Sequence, residues 1–229
     1  MDIVSLVSGG MDSYIGTLLL KETNPDDNII PLYFNHKSKP SKMETELVKK
    51  QFGKDLIISN IFNFKTIENK ETSEIHGRNL HFVAAASYYA DKIALHGHKT
   101  SNFRDNTSKF RLNLTSVISL MLNRHVSVFS PIEHLTKENV LQTYIEDLNG
   151  DIEFILKTTT SCSEGKRFCG ECWHCFSFYC CIWDYIQDLS NAPIYTNTYL
   201  IETYLTRAEH GAFDGKRTRI IKEIAKELL

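Results

Sequence analysis

The sequence predicts an α/β domain, a five-stranded parallel sheet with helices on both faces, followed by a C-terminal helical segment that binds a metal. Three observations carry this. Short apolar runs alternate with stretches of helical period. A glycine turn joins the first apolar run to the first helical one. Four cysteines crowd into residues 162–175.

Ile3 to Val7 reads as the first strand, and Tyr14, Ile15, Leu18 and Leu19 then recur at helical spacing. Ile29 to Phe34 is a second strand, and Met43, Leu47, Val48 and Phe52 mark a second helix. Leu56 to Ile61 is a third strand. Residues 79–91 are apolar on most faces and predict a buried helix. Ile93 to His96 and Val126 to Phe129 complete the sheet. Phe110, Leu114, Val117, Ile118 and Met121 lie on one helix, and Val140, Leu141, Tyr144 and Ile145 on another. Parallel sheets bind ligands at the carboxyl ends of their strands, so the site is expected there. The pattern changes near Thr158, which divides a sheet domain (1–157) from a cysteine-bearing segment (158–229) packed on it. That segment holds an aromatic helix, Phe176 to Leu189, and a helical tail.

The chain has 229 residues, and 42% are hydrophobic, enough for a sizeable core. Its 26 basic and 28 acidic residues leave a net charge of −2, which gives no general argument for nucleic acid. The Lys216-Arg217-Thr218-Arg219 run reads as a solvated helix start, with a local basic face as the alternative. No apolar stretch is long enough to span a membrane. The N-terminal residues lack a basic region and a cleavage site, so a cytoplasmic location is expected, where clustered cysteines favour metal over disulfide.

Ser8-Gly9-Gly10-Met11-Asp12-Ser13 follows a strand and opens a helix. The glycines let the backbone approach an anion, and the free amides of the helix start point at it. Ser8 and Ser13 add hydroxyl donors. Asp12 would repel phosphate unless Mg²⁺ stands between, so it reads as metal-linked or as an organiser of the loop. No Gly-Lys-Ser/Thr follows, which excludes a Walker loop. The string resembles the pyrophosphate loop of the N-type ATP pyrophosphatases (PP-loop superfamily, adenine nucleotide alpha hydrolase fold). That resemblance implies cleavage of ATP between its α and β phosphates.

Cys162, Cys169, Cys172 and Cys175 suit tetrahedral Zn²⁺. Four protein ligands leave no open position, so the zinc is expected to be structural. His174 could replace one ligand, but four thiols suffice. Cys180 and Cys181 read as small buried residues.

Together the two motifs resemble the 7-cyano-7-deazaguanine synthase (QueC) family of the queuosine pathway. Its zinc site ends in Cys-Gly-x-Cys-x-x-Cys, as Cys169-Gly170-Glu171-Cys172-Trp173-His174-Cys175 does here. Gly77-Arg78-Asn79 resembles its Pro-x-Arg-Asn segment, Pro131-Ile132-x-x-Leu135-Thr136-Lys137 its Pro-Leu-x-x-Leu-Thr-Lys string, and Ser161-Cys162 its Ser-Cys pair. The resemblance implies an ATP-dependent ligase that adenylates the carboxylate of 7-carboxy-7-deazaguanine and passes the acyl group to ammonia, giving an amide and then a nitrile. It implies ATP, Mg²⁺ and Zn²⁺ as cofactors. Ser8 to Ser13 would hold ATP. Arg78 and Lys137 would join Asp12 and Ser13 in catalysis. Asn79, Phe103 and Asp105 would hold the substrate, Asp105 by accepting two guanine-like N–H donors and Phe103 or Phe110 by stacking. For Phe110 a place in the core is the preferred reading.

The family's base-recognition segment, Tyr-Pro-Asp-Cys-Arg-Pro-Glu-Phe, corresponds to Phe103-Arg104-Asp105-Asn106-Thr107-Ser108-Lys109-Phe110, where only Asp105 and Phe110 match. The chain also runs on past the family's usual end. QueC-like proteins occur in antiviral operons, some resembling ligases that join the acyl group to a protein amine. A nitrile synthase, a defence-associated ligase with a protein partner and a non-catalytic nucleotide sensor all stay open, as does a homodimer.

Overall fold

The computed structural model describes residues 1–69, 75–100, 104–186 and 193–229. Strands β1 (Asp2–Leu6), β2 (Asn28–Phe34), β3 (Ile57–Ser59), β4 (Lys92–Ala94) and β5 (Ser127–Phe129) form one parallel sheet in the order β3-β2-β1-β4-β5. The helices are α1 (Met11–Thr23), α2 (Ser41–Phe52), α3 (Arg78–Ala86), α4 (Ser108–Leu122), α5 (Lys137–Glu146), α6 (Ile152–Thr158), α7 (Trp173–Ile186), α8 (Thr198–Glu209) and α9 (Gly215–Leu228). The chain winds outward from β1 to β3 and returns to lay β4 against the other side of β1. That reversal opens a crevice between the carboxyl ends of β1 and β4, where such sheets place ligands.

All five expected strands are present. β1 is buried after its first residue, as a strand covered on both faces must be. Val4, Leu6, Leu32 and Phe34 pack on α3 and α4. On the opposite side one continuous core joins α1 and α2 to α5, α7, α8 and α9. Among the described residues no helix is long and apolar enough to cross a membrane.

Two expectations need correction. The helix expected over 79–91 is α3, which ends at Ala86 and buries only Asn79, Val83 and Ala86. The Ser87 hydroxyl donates to the Ala84 carbonyl and competes with further helix, and the chain must turn into β4. The Lys216–Arg219 run is a solvated start only in part, with Arg219 exposed but Arg217 buried. Arg217 is buried against Glu138, and Arg219 pairs with Asp184 and Glu223. The last turn expected of the aromatic helix, 187–189, lies outside the described residues.

α1 lies unusually close to the strand behind it. A Cβ on Gly16 would sit 2.2 Å from Nδ1 of His96, so only glycine fits there. His96 Nε2 lies 2.8 Å from Ser5 Oγ, which lies 2.7 Å from Thr17 Oγ1, and Thr17 donates to the Ser13 carbonyl. Burial pushes the His96 pKa down to about 4, against a smaller opposing pull from Asp12. The folded state therefore wants this ring neutral, while the unfolded chain takes up a proton near 6.5. The stabilisation is full above that value and is lost as pH falls toward 4. Denaturant unfolding at about pH 7.5 and about pH 4.5 should show wild type losing roughly 2–3 kcal/mol more than His96→Gln. Equal losses would place the His96 proton elsewhere.

Candidate nucleotide and metal sites

The first loop is folded by its own residues. Ser8 N–H donates to Ser13 Oγ (3.2 Å), and Ser13 Oγ donates to the Gly10 carbonyl (3.1 Å). Gly9 takes φ = +73°, and a Cβ there would press on the Glu44 backbone at 3.3 Å. In this conformation the Gly9 carbonyl accepts from Thr160 N–H (2.9 Å) and Gln51 Nε2 (3.3 Å). Gly10, the N-cap of α1, makes no side-chain cap. The opening amides of a 13-residue helix are thus left to an anion, aided by the helix dipole.

Asp12, in the first turn of α1, faces two residues from elsewhere. Lys137 Nζ lies 3.3 Å from Asp12 Oδ2, and His98 Nε2 lies 3.9 Å from it. Asp12 Oδ1 is buried without a hydrogen-bond partner among the described residues. Lys137 is the first residue of α5, which Thr136 caps by accepting from Asn139 N–H. Burial would lower the Lys137 pKa; the charge and hydrogen bond of Asp12, together with the charge of Cys181, outweigh it and hold the ammonium above its ordinary range. His98 goes the other way, because burial exceeds the pull of Asp12 and keeps the ring neutral. Its Nδ1 lies 3.0 Å from Thr100 Oγ1, and Lys137 N–H donates to the same oxygen. His98 was missed in the sequence; its only signal is a position just beyond β4.

On the β2 side, Tyr33 OH donates to Glu44 Oε2 and His36 Nε2 lies 3.0 Å from the same oxygen. Burial would raise the Glu44 pKa, but the His36 hydrogen bond and charge, with Arg78 behind them, hold it below the usual carboxylate range. Arg78 lies with its guanidinium carbon 5.9 Å from the Phe82 ring centroid. Burial pushes His174 down to about 4; Cys172 opposes this, and Lys137 and Arg78 add to it. The charges of α3 and α5 therefore both reach the first turn of α7.

The residues expected to hold a substrate are less well gathered. Asn79 Nδ2 donates to the Asp105 carbonyl (3.2 Å), tying α3 to the short 3₁₀ turn Arg104–Asn106. Asp105 is half-buried in that turn. Phe110 packs against the core behind α4, as the core reading expected. Phe103 lies outside the described residues.

The sulfurs of Cys162, Cys169, Cys172 and Cys175 lie within 4.8 Å of one another, and all six cysteines are free thiols. Glu171 N–H and Cys172 N–H donate to Cys169 Sγ, and Cys175 N–H donates to Cys172 Sγ. Backbone donors aimed at sulfur favour thiolate. Hydrogen bonds from Cys162 and Cys175 push Cys172 down, and the contact with Cys172 pushes Cys162 up to about 11 against a smaller opposing pull from Cys175. Four thiolates this close need a cation among them, and the donor set fits one metal ion. Tyr195 OH donates to the Glu171 carbonyl and Thr196 N–H to that of Gly170, clasping the knuckle from outside. Cys180 and Cys181 are buried in α7, as expected.

The family model for the queuosine biosynthesis protein QueC matches residues 63–178, just over half of the chain. The chain belongs to the QueC family. The match begins after the Ser8–Ser13 loop, so the loop rests on its own geometry. A curated QueC relative, the 7-cyano-7-deazaguanine synthase of Methanocaldococcus jannaschii, is 24% identical over 215 residues, covering 76% of this chain and 91% of that protein. Two solved structures are similar. One is the predicted subunit of a tRNA methyltransferase from M. jannaschii (TM-score 0.48, 17% identity, 64% of this chain and 75% of that one). The other is the U34-tRNA thiolase NcsA of Methanococcus maripaludis with its [4Fe-4S] cluster (TM-score 0.48, 16% identity, 100% and 72%).

Metal analysis of the purified protein should give about one metal ion per chain, bound by thiolate. Iodoacetamide should spare Cys162, Cys169, Cys172 and Cys175 until a chelator is added, then label all four. A disulfide between any two would contradict the site.

Proposed function

We propose that the chain is an AMP-forming ligase. A carboxylate oxygen of 7-carboxy-7-deazaguanine attacks the α-phosphorus of ATP, pyrophosphate leaves, and the acyl-adenylate passes its acyl group to an amine with release of AMP. Hydroxide is a poor leaving group from a carboxylate, and AMP is a good one. The protein need only align the two anions and neutralise the charge that grows between them.

The observation that carries this reading is the uncapped start of α1 beside the Asp12–Lys137 pair at the sheet's switch point. The α1 amides and the Ser8 and Ser13 hydroxyls would hold the phosphates. Lys137, kept charged by Asp12, would move onto the reacting phosphate as negative charge develops, and Arg78 would add to it. Asp12 Oδ1, without a hydrogen-bond partner among the described residues, fits Mg²⁺, which accompanies ATP and neutralises its phosphates. In the knuckle, sulfurs within 4.8 Å suit one tetrahedral Zn²⁺, whereas a cubane cluster binds each thiolate to a separate iron and spreads them further. We assign zinc, in a structural role.

Ammonia is the simplest acceptor, leading toward the nitrile. The alternative, a partner-protein amine in a defence setting, drew on the basic tail. Arg217 and Arg219 are taken up in intramolecular pairs, so the tail no longer favours it.

The assay is mass spectrometry of products from ATP and the deazaguanine acid, with ammonia and, in a separate arm, with protein acceptors. The acid should stimulate AMP and pyrophosphate formation, and ammonia should yield amide or nitrile. Lys137→Ala and Asp12→Ala should each lower acid-dependent AMP formation by about a hundredfold or more. Formation of ADP, or AMP formation indifferent to the acid, would overturn the reading.

A further inference from the structure

Glu138 stands next to Lys137 on α5, and neighbouring helical residues point about 100° apart. Lys137 faces α1, and Glu138 faces the interior between α7 and α9. There Arg217 Nη1 meets Glu138 Oε1 at 2.5 Å, with the two residues 9% and 5% exposed. The same guanidinium reaches the Ser177 carbonyl (3.3 Å) and, through Nη2, the Ser177 hydroxyl (3.4 Å). Asp214 caps α9 by accepting from Arg217 N–H (2.8 Å), which fixes the arginine in the first turn.

This cation joins three helices. α5 carries Lys137, α7 begins among the metal-binding cysteines, and α9 lies beyond residue 178, where the family match ends. A buried ion pair adds little net stability over an apolar pair of equal volume, but it is directional. A planar guanidinium holds a carboxylate and a second acceptor in a fixed fork, whereas the donors of an ammonium rotate freely.

We propose that Arg217 is a positioning residue for the nucleotide site. By holding Glu138 inward it sets the rotation of the first turn of α5, and so aims Lys137 at Asp12. The tail that extends past the matched region is then a working part of the site. The proposal rests on the ligase reading for what Lys137 does; the geometry does not need it.

Arg217→Met alone leaves Glu138 buried and unpaired and is expected to unfold easily. The test therefore pairs Arg217→Met with Glu138→Met, which removes both charges. Ser177→Ala, which takes away one acceptor of the guanidinium, is the milder variant. Hydrogen exchange of residues 136–142 is read without substrate, and acid-dependent AMP formation with it. The double variant should melt near wild type, exchange the first turn of α5 about tenfold faster and lose about tenfold in kcat at nearly constant KM for ATP. Ser177→Ala should move the same readouts the same way by about two- to threefold. A merely structural pair would leave kcat unchanged once stability is restored. Wild-type exchange and wild-type kcat in the double variant, or in Ser177→Ala should the double variant fail to fold, would overturn the proposal. Faster exchange in variants of a wild type that makes no AMP would uphold the positioning and refute the ligase reading instead.

Discussion

The bond on which the site most depends runs from Thr160 N–H to the carbonyl of Gly9, at 2.9 Å. Gly9 accepts it in a left-handed conformation, φ = +73°. Thr160 has a second task. Its hydroxyl donates toward the Lys166 and Arg167 carbonyls and accepts from Cys162 N–H. One residue thus folds the metal-binding loop and braces the phosphate loop. Gln51 repeats the link from α2, donating to both the Gly9 and Thr158 carbonyls. A metal among the four sulfurs would hold the two loops in register, which gives a structural ion a direct bearing on nucleotide binding.

Around that brace the charges are arranged unequally. Lys137 brings positive charge to Asp12 and Arg78 acts on Glu44, which is itself engaged by His36 and Tyr33. His96 and His98 are neutral by burial, so they add shape and hydrogen bonding without charge. Asp12 is the acidic group paired with Lys137, and its second oxygen has no hydrogen-bond partner among the described residues. Such a site suits an anionic ligand and keeps its lysine protonated.

The readable features were those confined to a few consecutive residues. The Ser8–Ser13 loop declares itself because glycines, hydroxyls and the flanking strand and helix are contiguous. The four cysteines do so because metal ligation dictates close spacing. The unread features depend on distant pairing. Gln51 meets Thr158 across 107 residues, and Arg217 meets Glu138 across 79. A run of basic residues carries no mark of a buried acid on another helix, so Arg217 read as solvated. α3 read too long because its apolar residues continue past the point where Ser87 turns the chain. His98 sits after an unremarkable strand, and only the crossover connection brings it to Asp12.

Transfer of oxygen tests the central claim most directly. The deazaguanine acid, labelled with ¹⁸O in both carboxylate oxygens, would be incubated with ATP, Mg²⁺, ammonia and the metal-loaded protein, and the AMP examined by mass spectrometry. Attack of the carboxylate on the α-phosphorus predicts one ¹⁸O in the phosphate of each AMP formed. AMP without label, or label in inorganic phosphate alongside ADP, would contradict adenylation at the Ser8–Ser13 loop.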